Sequence, residues 1–147
     1  EPLTLVTIGG SVAMGAQAKG KFTDSSSDRV VSWLRWRYPH CQIRYINTAQ
    51  RGTTSIWRAV EIDALASLKP DLVLWDYSTN DLISTDTATA STDELRTAFE
   101  RLARLLLLLP SQPAVIYLML MRNLEEPATY DVQARAVQPV AERYGLD

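Results

Sequence analysis

Four stretches of the chain are rich in apolar, β-branched and aromatic residues: residues 3–8 (LTLVTI), 42–46 (QIRYI), 71–76 (DLVLWD) and 114–120 (AVIYLML). Runs of this length and composition predict strands. The first leads straight into Gly9-Gly10, as in a strand that ends in a tight turn. The third holds Leu72-Val73-Leu74-Trp75 without a polar break, as expected of a strand covered on both faces. Between these runs the apolar period lengthens to that of a helix. Over residues 28–38 it places Val30, Val31, Leu34 and Tyr38 on one side, with Ser27 as N-cap and Pro39 as terminator. Ser55 is expected to cap a second helix carrying Ala59, Ile62 and Leu65, which stops before Pro70. Ser91-Thr92-Asp93-Glu94 has the spacing of a capping box and opens a long helix through Leu95, Phe99, Leu102, Leu106 and Leu109. A last helix is expected over residues 130–144, with Gly145 as C-cap and Pro139 imposing a break or kink. Residues 16–27, 47–54 and 84–90 read as loops.

Strands alternating with helices across short links predict an α/β domain, a parallel sheet with helices on both faces. No internal repeat or second domain is visible in residues 1–147. The chain ends at Leu146-Asp147, where the next strand of such a fold would begin, so a further strand and helix are expected beyond it. Their absence would leave a sheet edge and apolar helix surface uncovered, and self-association would follow.

Composition narrows the function classes. A formal net charge of −2, from 15 basic and 17 acidic residues, gives no electrostatic case for a nucleic-acid partner. Arg35 and Arg37 near Lys19 and Lys21 read as a local solvated patch. The single cysteine, Cys41, excludes an internal disulfide. The leucine run at residues 105–109 is far too short to span a bilayer and reads as core. No signal peptide is visible, but the chain starts at Glu1 rather than Met, so an upstream targeting segment is allowed for. The compartment stays open, with a secreted or luminal one favoured.

The chemistry concentrates in three short motifs, each just past a strand: Gly9-Gly10-Ser11, Asn47-Thr48-Ala49-Gln50-Arg51-Gly52 and Ser78-Thr79-Asn80-Asp81. In open α/β sheets ligands bind at the carboxyl ends of the strands. There Ser11 offers an exposed hydroxyl and its N–H at the start of a helical turn near Val12. Gly52, lacking a Cβ, offers an N–H that a substrate can approach closely, and Asn80 an amide donor. A hydroxyl with convergent donors is what acyl transfer requires. Each motif alone has a plainer reading. Gly-Gly-Ser also serves phosphate-binding loops, residues 47–52 form a turn, and Asn80-Asp81 caps a helical turn.

Taken in order, the three motifs resemble the SGNH (GDSL-type) hydrolase family, named for blocks contributing Ser, Gly, Asn and His. Ile8-Gly9-Gly10-Ser11 resembles the first block, Asn47 through Gly52 to Ser55 the second, and Tyr77-Ser78-Thr79-Asn80-Asp81 the third. The stretches VTIGGSVAMG and VLWDYSTND are similar to uncharacterised SGNH-type proteins of algae and oomycetes. The resemblance implies a three-layer α/β/α, flavodoxin-like parallel sheet and a serine esterase acting on a small-molecule or glycan ester. Ser11 would be the nucleophile, with Ser11 N–H, Gly52 N–H and the Asn80 side chain as oxyanion hole. It implies no metal or organic cofactor. Gly10 stands where the pattern has Asp, and Ala49 and Ser78 replace glycines.

The family's last block, Asp-x-x-His, is absent and would follow a fifth strand beyond Asp147. The chain's one histidine, His40, falls at the amino end of the second strand, too far from Ser11 to act as its base. Asp76 and Asp81 lie near the expected site, but an ordinary carboxylate is too weak a base at neutral pH. Asp76 reads as structural. This chain taken alone is therefore expected to be nearly inactive. The alternatives are a catalytically inactive module binding an anion or glycan through Gly9-Gly10-Ser11 and Arg51, and, less well supported for want of a P-loop Lys-Ser/Thr, a nucleotide binder.

Overall fold

Four parallel strands, β1 (Leu3–Gly9), β2 (Ile43–Asn47), β3 (Leu72–Asp76) and β4 (Ala114–Tyr117), form one sheet in the order β2-β1-β3-β4. The computed structural model describes residues 2–16, 18–20, 24–81, 91–120 and 127–146, with side chains for the last segment from residue 134. The loop expected at residues 84–90 and Lys21 lie outside the described residues. The chain leaves β1 for β2 on one side and returns past β1 to β3 on the other. The connections from β1 and β3 thus diverge, and the crevice between these two strand ends is the topological switch point of the sheet. Gly9 pairs with Asp76 in the parallel register at that point.

Each strand alternates its side chains between two unequal faces. On one face Val6, Ile8, Val73, Trp75 and Val115 meet α2 (Ser55–Val60), α3 (Ile62–Ser67), α5 (Thr92–Leu107) and α6 (Pro127–Tyr144) through Ala59, Leu65, Phe99, Leu102, Leu106, Ala136 and Val140. Trp75 stacks on Phe99 with ring centroids 4.3 Å apart, and Tyr117 meets both rings edge-on at 5.2 and 4.7 Å. On the other face Leu5 and Leu74 meet Val31 of α1 (Ser26–Arg37). The short α4 (Ser78–Asp81) follows β3 at the switch point.

Element types follow the sequence pattern, while several boundaries and caps do not. The N-cap of α1 is Ser25, in a capping box with Asp28, and Ser27 is buried inside the helix. Any of three consecutive serines can supply the hydroxyl, and the one with extended backbone takes the role. Tyr38, expected on the buried side, is 49% exposed because it falls past the last helical residue. Thr54 caps α2 and Ser55 is its first residue. The single helix expected there breaks at Glu61 into α2 and α3. The Ser91–Glu94 capping box of α5 is present as expected. In the leucine run Leu106 and Leu109 are core, while Leu107 and Leu108 face outward. Pro139 sits within α6 without ending it, and Gly145 follows the helix with φ +61°. Strand β4 ends at Tyr117 rather than continuing to residue 120. No helix among the described residues is long and apolar enough to cross a membrane.

Truncating the ring that fills the space between sheet and α5 tests this packing. Phe99→Ala removes the stacking partner of Trp75 and leaves a cavity, and is expected to cost about 3–5 kcal/mol, read as a lower urea midpoint at unchanged slope.

Candidate active site

The three motifs meet at the switch point because their backbones are tied to one another. Gly10 N–H donates to Asp76 O at 3.1 Å, fastening the exit of β1 to the end of β3. Thr48 donates its N–H and its Oγ1 to Thr7 O, both at 2.9 Å, and Gln50 N–H donates to Gly9 O at 2.9 Å. Asn47 Nδ2 reaches Ala13 O at 3.0 Å and so ties the second motif to the loop that follows Ser11. That loop is wound into successive turns over residues 11–16, with Met14 N–H on Gly10 O at 3.1 Å, rather than into the regular helical turn expected at Val12.

Close packing explains both glycines. A β-carbon at Gly9 would collide with Ala13 and with the Asp76 carbonyl. A β-carbon at Gly10 would fall on the Asn80 carboxamide. A side chain at Gly10, as in the GDSL pattern, would require the Asn80 carboxamide to shift. Asn80 Nδ2 donates one hydrogen to Thr53 O at 2.8 Å, and an amide nitrogen has a second to offer. Gly52 is exposed with φ +70°, in the left-handed region that suits glycine. Among the described residues, Ser11 Oγ, Ser11 N–H and Gly52 N–H have no hydrogen-bond partner.

Beneath these groups lies a layer of buried polar side chains. Asp81 accepts Ser55 N–H at 2.8 Å and Ser55 Oγ–H at 2.6 Å, clamping the start of α2 to α4. Trp75 Nε1 donates to the same Ser55 Oγ at 3.3 Å. Buried Arg58 donates from Nε to Tyr77 Oη at 3.2 Å and from Nη2 to Thr48 O at 2.8 Å, bracing the second motif against the third. Ser78, in place of a glycine, accepts Leu120 N–H at 2.9 Å and so anchors α4 to the chain leaving β4. Ala49, likewise in a glycine's place, donates its N–H to Asn47 Oδ1 at 3.0 Å.

Burial changes the carboxyl chemistry. It pushes Asp76 up to about 7, with the Ser78 hydroxyl opposing and the Asp81 charge adding to the rise. It pushes Asp81 up to about 6, against the two Ser55 hydrogen bonds. Neither is the ordinary carboxylate the sequence leads one to expect. Asp81 is engaged by both Ser55 hydrogen bonds, and the Asp76 oxygens are enclosed at the end of β3 with the Ser78 hydroxyl against them. His40 lies before β2, at the opposite edge of the sheet. The seven residues of β1, at about 3.3 Å each, put roughly 20 Å between it and Ser11.

Ser11, Gly52 and Asn80 thus occupy one edge, as the sequence places them. Asn47, Arg58 and the Ser55–Asp81 clamp escape sequence reasoning, because their partners are distant in the chain. A charged residue next to the core positions of a helix, as Arg58 is beside Ala59, is the one signal that could have found any of them.

No family model and no curated protein matches this chain. Solved structures do match it. The TesA structure superposes with TM-score 0.75 at 20% identity, over 97% of this chain and 75% of that one. Axe2-W215I, an acetyl xylan esterase from Geobacillus stearothermophilus, gives 0.72 at 22%, over 98% of this chain and 74% of that one. A two-domain esterase (CEX) active on acetylated mannans gives 0.80 at 24%, over 99% of this chain and 36% of that one. These likenesses show the fold: a parallel α/β sheet with flanking helices, as in the SGNH hydrolases.

Two outcomes follow from this packing and electrostatics. Both raised carboxyls bind protons more tightly in the folded chain than in the unfolded one. Their contribution is therefore complete below pH 3.8 and is lost as pH rises through about 6 for Asp81 and about 7 for Asp76. At about 1.4 kcal/mol per pH unit, the Asp76 interval costs the folded state roughly 4 kcal/mol at pH 8. Asp76→Asn is expected to flatten the fall in urea midpoint between pH 5 and pH 8, and an unchanged slope would contradict the assignment. Gly10→Asp, which restores the GDSL residue, is expected to lower the melting temperature by displacing Asn80, and Gly10→Asp combined with Asn80→Gly to recover part of that loss.

Proposed function

We propose that this chain carries the nucleophile and oxyanion donors of an SGNH-type serine esterase, with Ser11 as nucleophile and Ser11 N–H, Gly52 N–H and Asn80 Nδ2 as donors. The observation that supports this most is the seating of the Asn80 carboxamide against Gly10, the residue before Ser11. In this reading Ser11 Oγ bonds to the acyl carbon while the carbonyl oxygen takes up negative charge. Each donor aimed at that oxygen lowers the barrier by about 3–4 kcal/mol. Collapse breaks the ester C–O bond, the alcohol leaves with the proton, and water releases the acid from the acyl-enzyme. Acetyl esters of carbohydrates are the proposed substrate class, since the similar structures include an acetyl xylan esterase and an esterase active on acetylated mannans.

The cycle needs a base to take the Ser11 proton, which the family resemblance assigns to an Asp-x-x-His histidine. The second reading, an inactive module binding an anion or glycan at the same place, needs no such base, and the Ser11 and Gly52 N–H groups left without partners among the described residues would serve it equally.

Imidazole supplied in solution separates the two. With p-nitrophenyl acetate and imidazole, peptide mass spectrometry is expected to find an acetyl group on Ser11 that Ser11→Ala abolishes. Asn80→Ala is expected to slow its formation by about 10²–10³-fold. A chain that never acetylates at Ser11, whatever the imidazole concentration, is a binding module and the esterase reading fails.

A further inference from the structure

Helix α2 inverts the usual division of apolar and charged residues. Its inner face is Ser55, Arg58 and Ala59, while Ile56 and Val60 are 57% and 73% exposed. Arginine is almost never fully buried unless it is paired, yet Arg58 is 3% exposed. Among the described residues no carboxylate pairs with it. Its Nη2 donates to Thr48 O at 2.8 Å and its Nε to Tyr77 Oη at 3.2 Å. Taking a guanidinium out of water for two neutral acceptors weighs against the folded state, and an apolar side chain of similar volume would weigh less. Both acceptors, however, belong to a closed ring of hydrogen bonds. Beyond Thr48 the second motif is folded by Gln50 N–H on Gly9 O and by Thr53 Oγ1 on Gln50 O. Thr53 O accepts from Asn80 Nδ2 at 2.8 Å, and Asn80 N–H donates to Tyr77 O at 2.9 Å. The Tyr77 side chain then returns to Arg58, which closes the ring. Gly52 and Asn80 both lie on it.

We propose that Arg58 is a positioning residue for the oxyanion donors, holding the Gly52 N–H and the Asn80 carboxamide in fixed relation to each other. The inference rests on the esterase reading of Ser11. A guanidinium suits the task because its planar, rigid fork addresses two acceptors in set directions, whereas a lysine ammonium is a point charge on a flexible stem. One hydrogen of Asn80 Nδ2 is held by Thr53 O, so the aim of the second follows from where Thr53 and Tyr77 hold this residue. An oxyanion donor is effective only at about 2.7–3.1 Å from the developing charge. A misplacement of about 1 Å caused by a change away from the reacting atoms costs about 10²-fold in rate.

Single-turnover acetylation of Ser11 by p-nitrophenyl acetate with imidazole tests it. Arg58→Met is expected to lower the maximal rate by about 10²-fold and to leave the half-saturating ester concentration unchanged. Arg58→Lys is expected to recover part of the rate. Tyr77→Phe, which removes one acceptor, is expected to give a smaller loss in the same direction. Asn80→Ala costs about 10²–10³-fold in the intact chain. In the Arg58→Met background it is expected to cost less than about tenfold, because residues that act as one unit are not additive. A brace that served stability alone would leave the Asn80→Ala factor whole. Acetylation of Arg58→Met at the wild-type rate, or an undiminished Asn80→Ala factor in that background, overturns this inference while the esterase reading stands. If Arg58→Met does not fold, the same cycle is run with Tyr77→Phe, and an undiminished Asn80→Ala factor there overturns it. A wild-type chain that never acetylates overturns both.

Discussion

The close approach of β1 and β3 at their carboxyl ends is the constraint on which the candidate site rests. Gly9 faces the Asp76 carbonyl and Ala13 with no room for a side chain, and Gly10 N–H is spent on Asp76 O. Only then does the Asn80 carboxamide reach the backbone beside Ser11. The second motif is drawn to the same place by hydrogen bonds onto Thr7 O and Gly9 O, the last carbonyls of β1. Serine, glycine and asparagine thus converge through backbone contacts rather than through contacts with one another. A side chain added at Gly9 would push the first motif off the end of β3, while one at Gly10 would displace the Asn80 side chain.

Beneath that edge the polar groups are distributed unusually. One buried and one half-buried carboxyl lie in the same layer as a buried guanidinium, yet the arginine binds a phenol and a carbonyl while Asp81 binds a serine. No ion pair among the described residues joins Arg58 to either aspartate. Each group instead braces a loop, which fixes position at a cost in desolvation. Asp76 carries the largest part of that cost, because burial of its enclosed oxygens outweighs what the Ser78 hydroxyl returns. A site held in this way trades stability near neutral pH for a fixed arrangement of donors.

The two faces of the sheet divide the remaining work. The aromatic trio of Trp75, Phe99 and Tyr117 anchors the helices of the thicker layer, and Trp75 reaches from that core to Ser55 at the site. The other face is covered among the described residues by α1, whose Trp33 and Trp36 keep more than half of their surface exposed.

Strand and helix types were legible in the sequence because a period of two or of 3.6 residues is a local property of side-chain direction. Ser11, Gly52 and Asn80 were legible because each follows a strand, and a parallel sheet brings successive strand ends to one edge. The caps of α1 and α2 were ambiguous, since adjacent serines and threonines compete and the backbone conformation set by packing selects among them. Nothing local marks Tyr38 or Trp36 as outward, because helical periodicity defines a stripe without saying which stripe meets the sheet. The roles of Asn47 and Arg58, the reason for Gly10 and the protonation of Asp76 depend on partners and burial supplied by distant parts of the chain. The sequence by itself determined the order and kind of elements and the residues offered at the sheet edge. Only the tertiary structure decided which of them touch, because contact and desolvation exist only once β1 and β3 lie side by side.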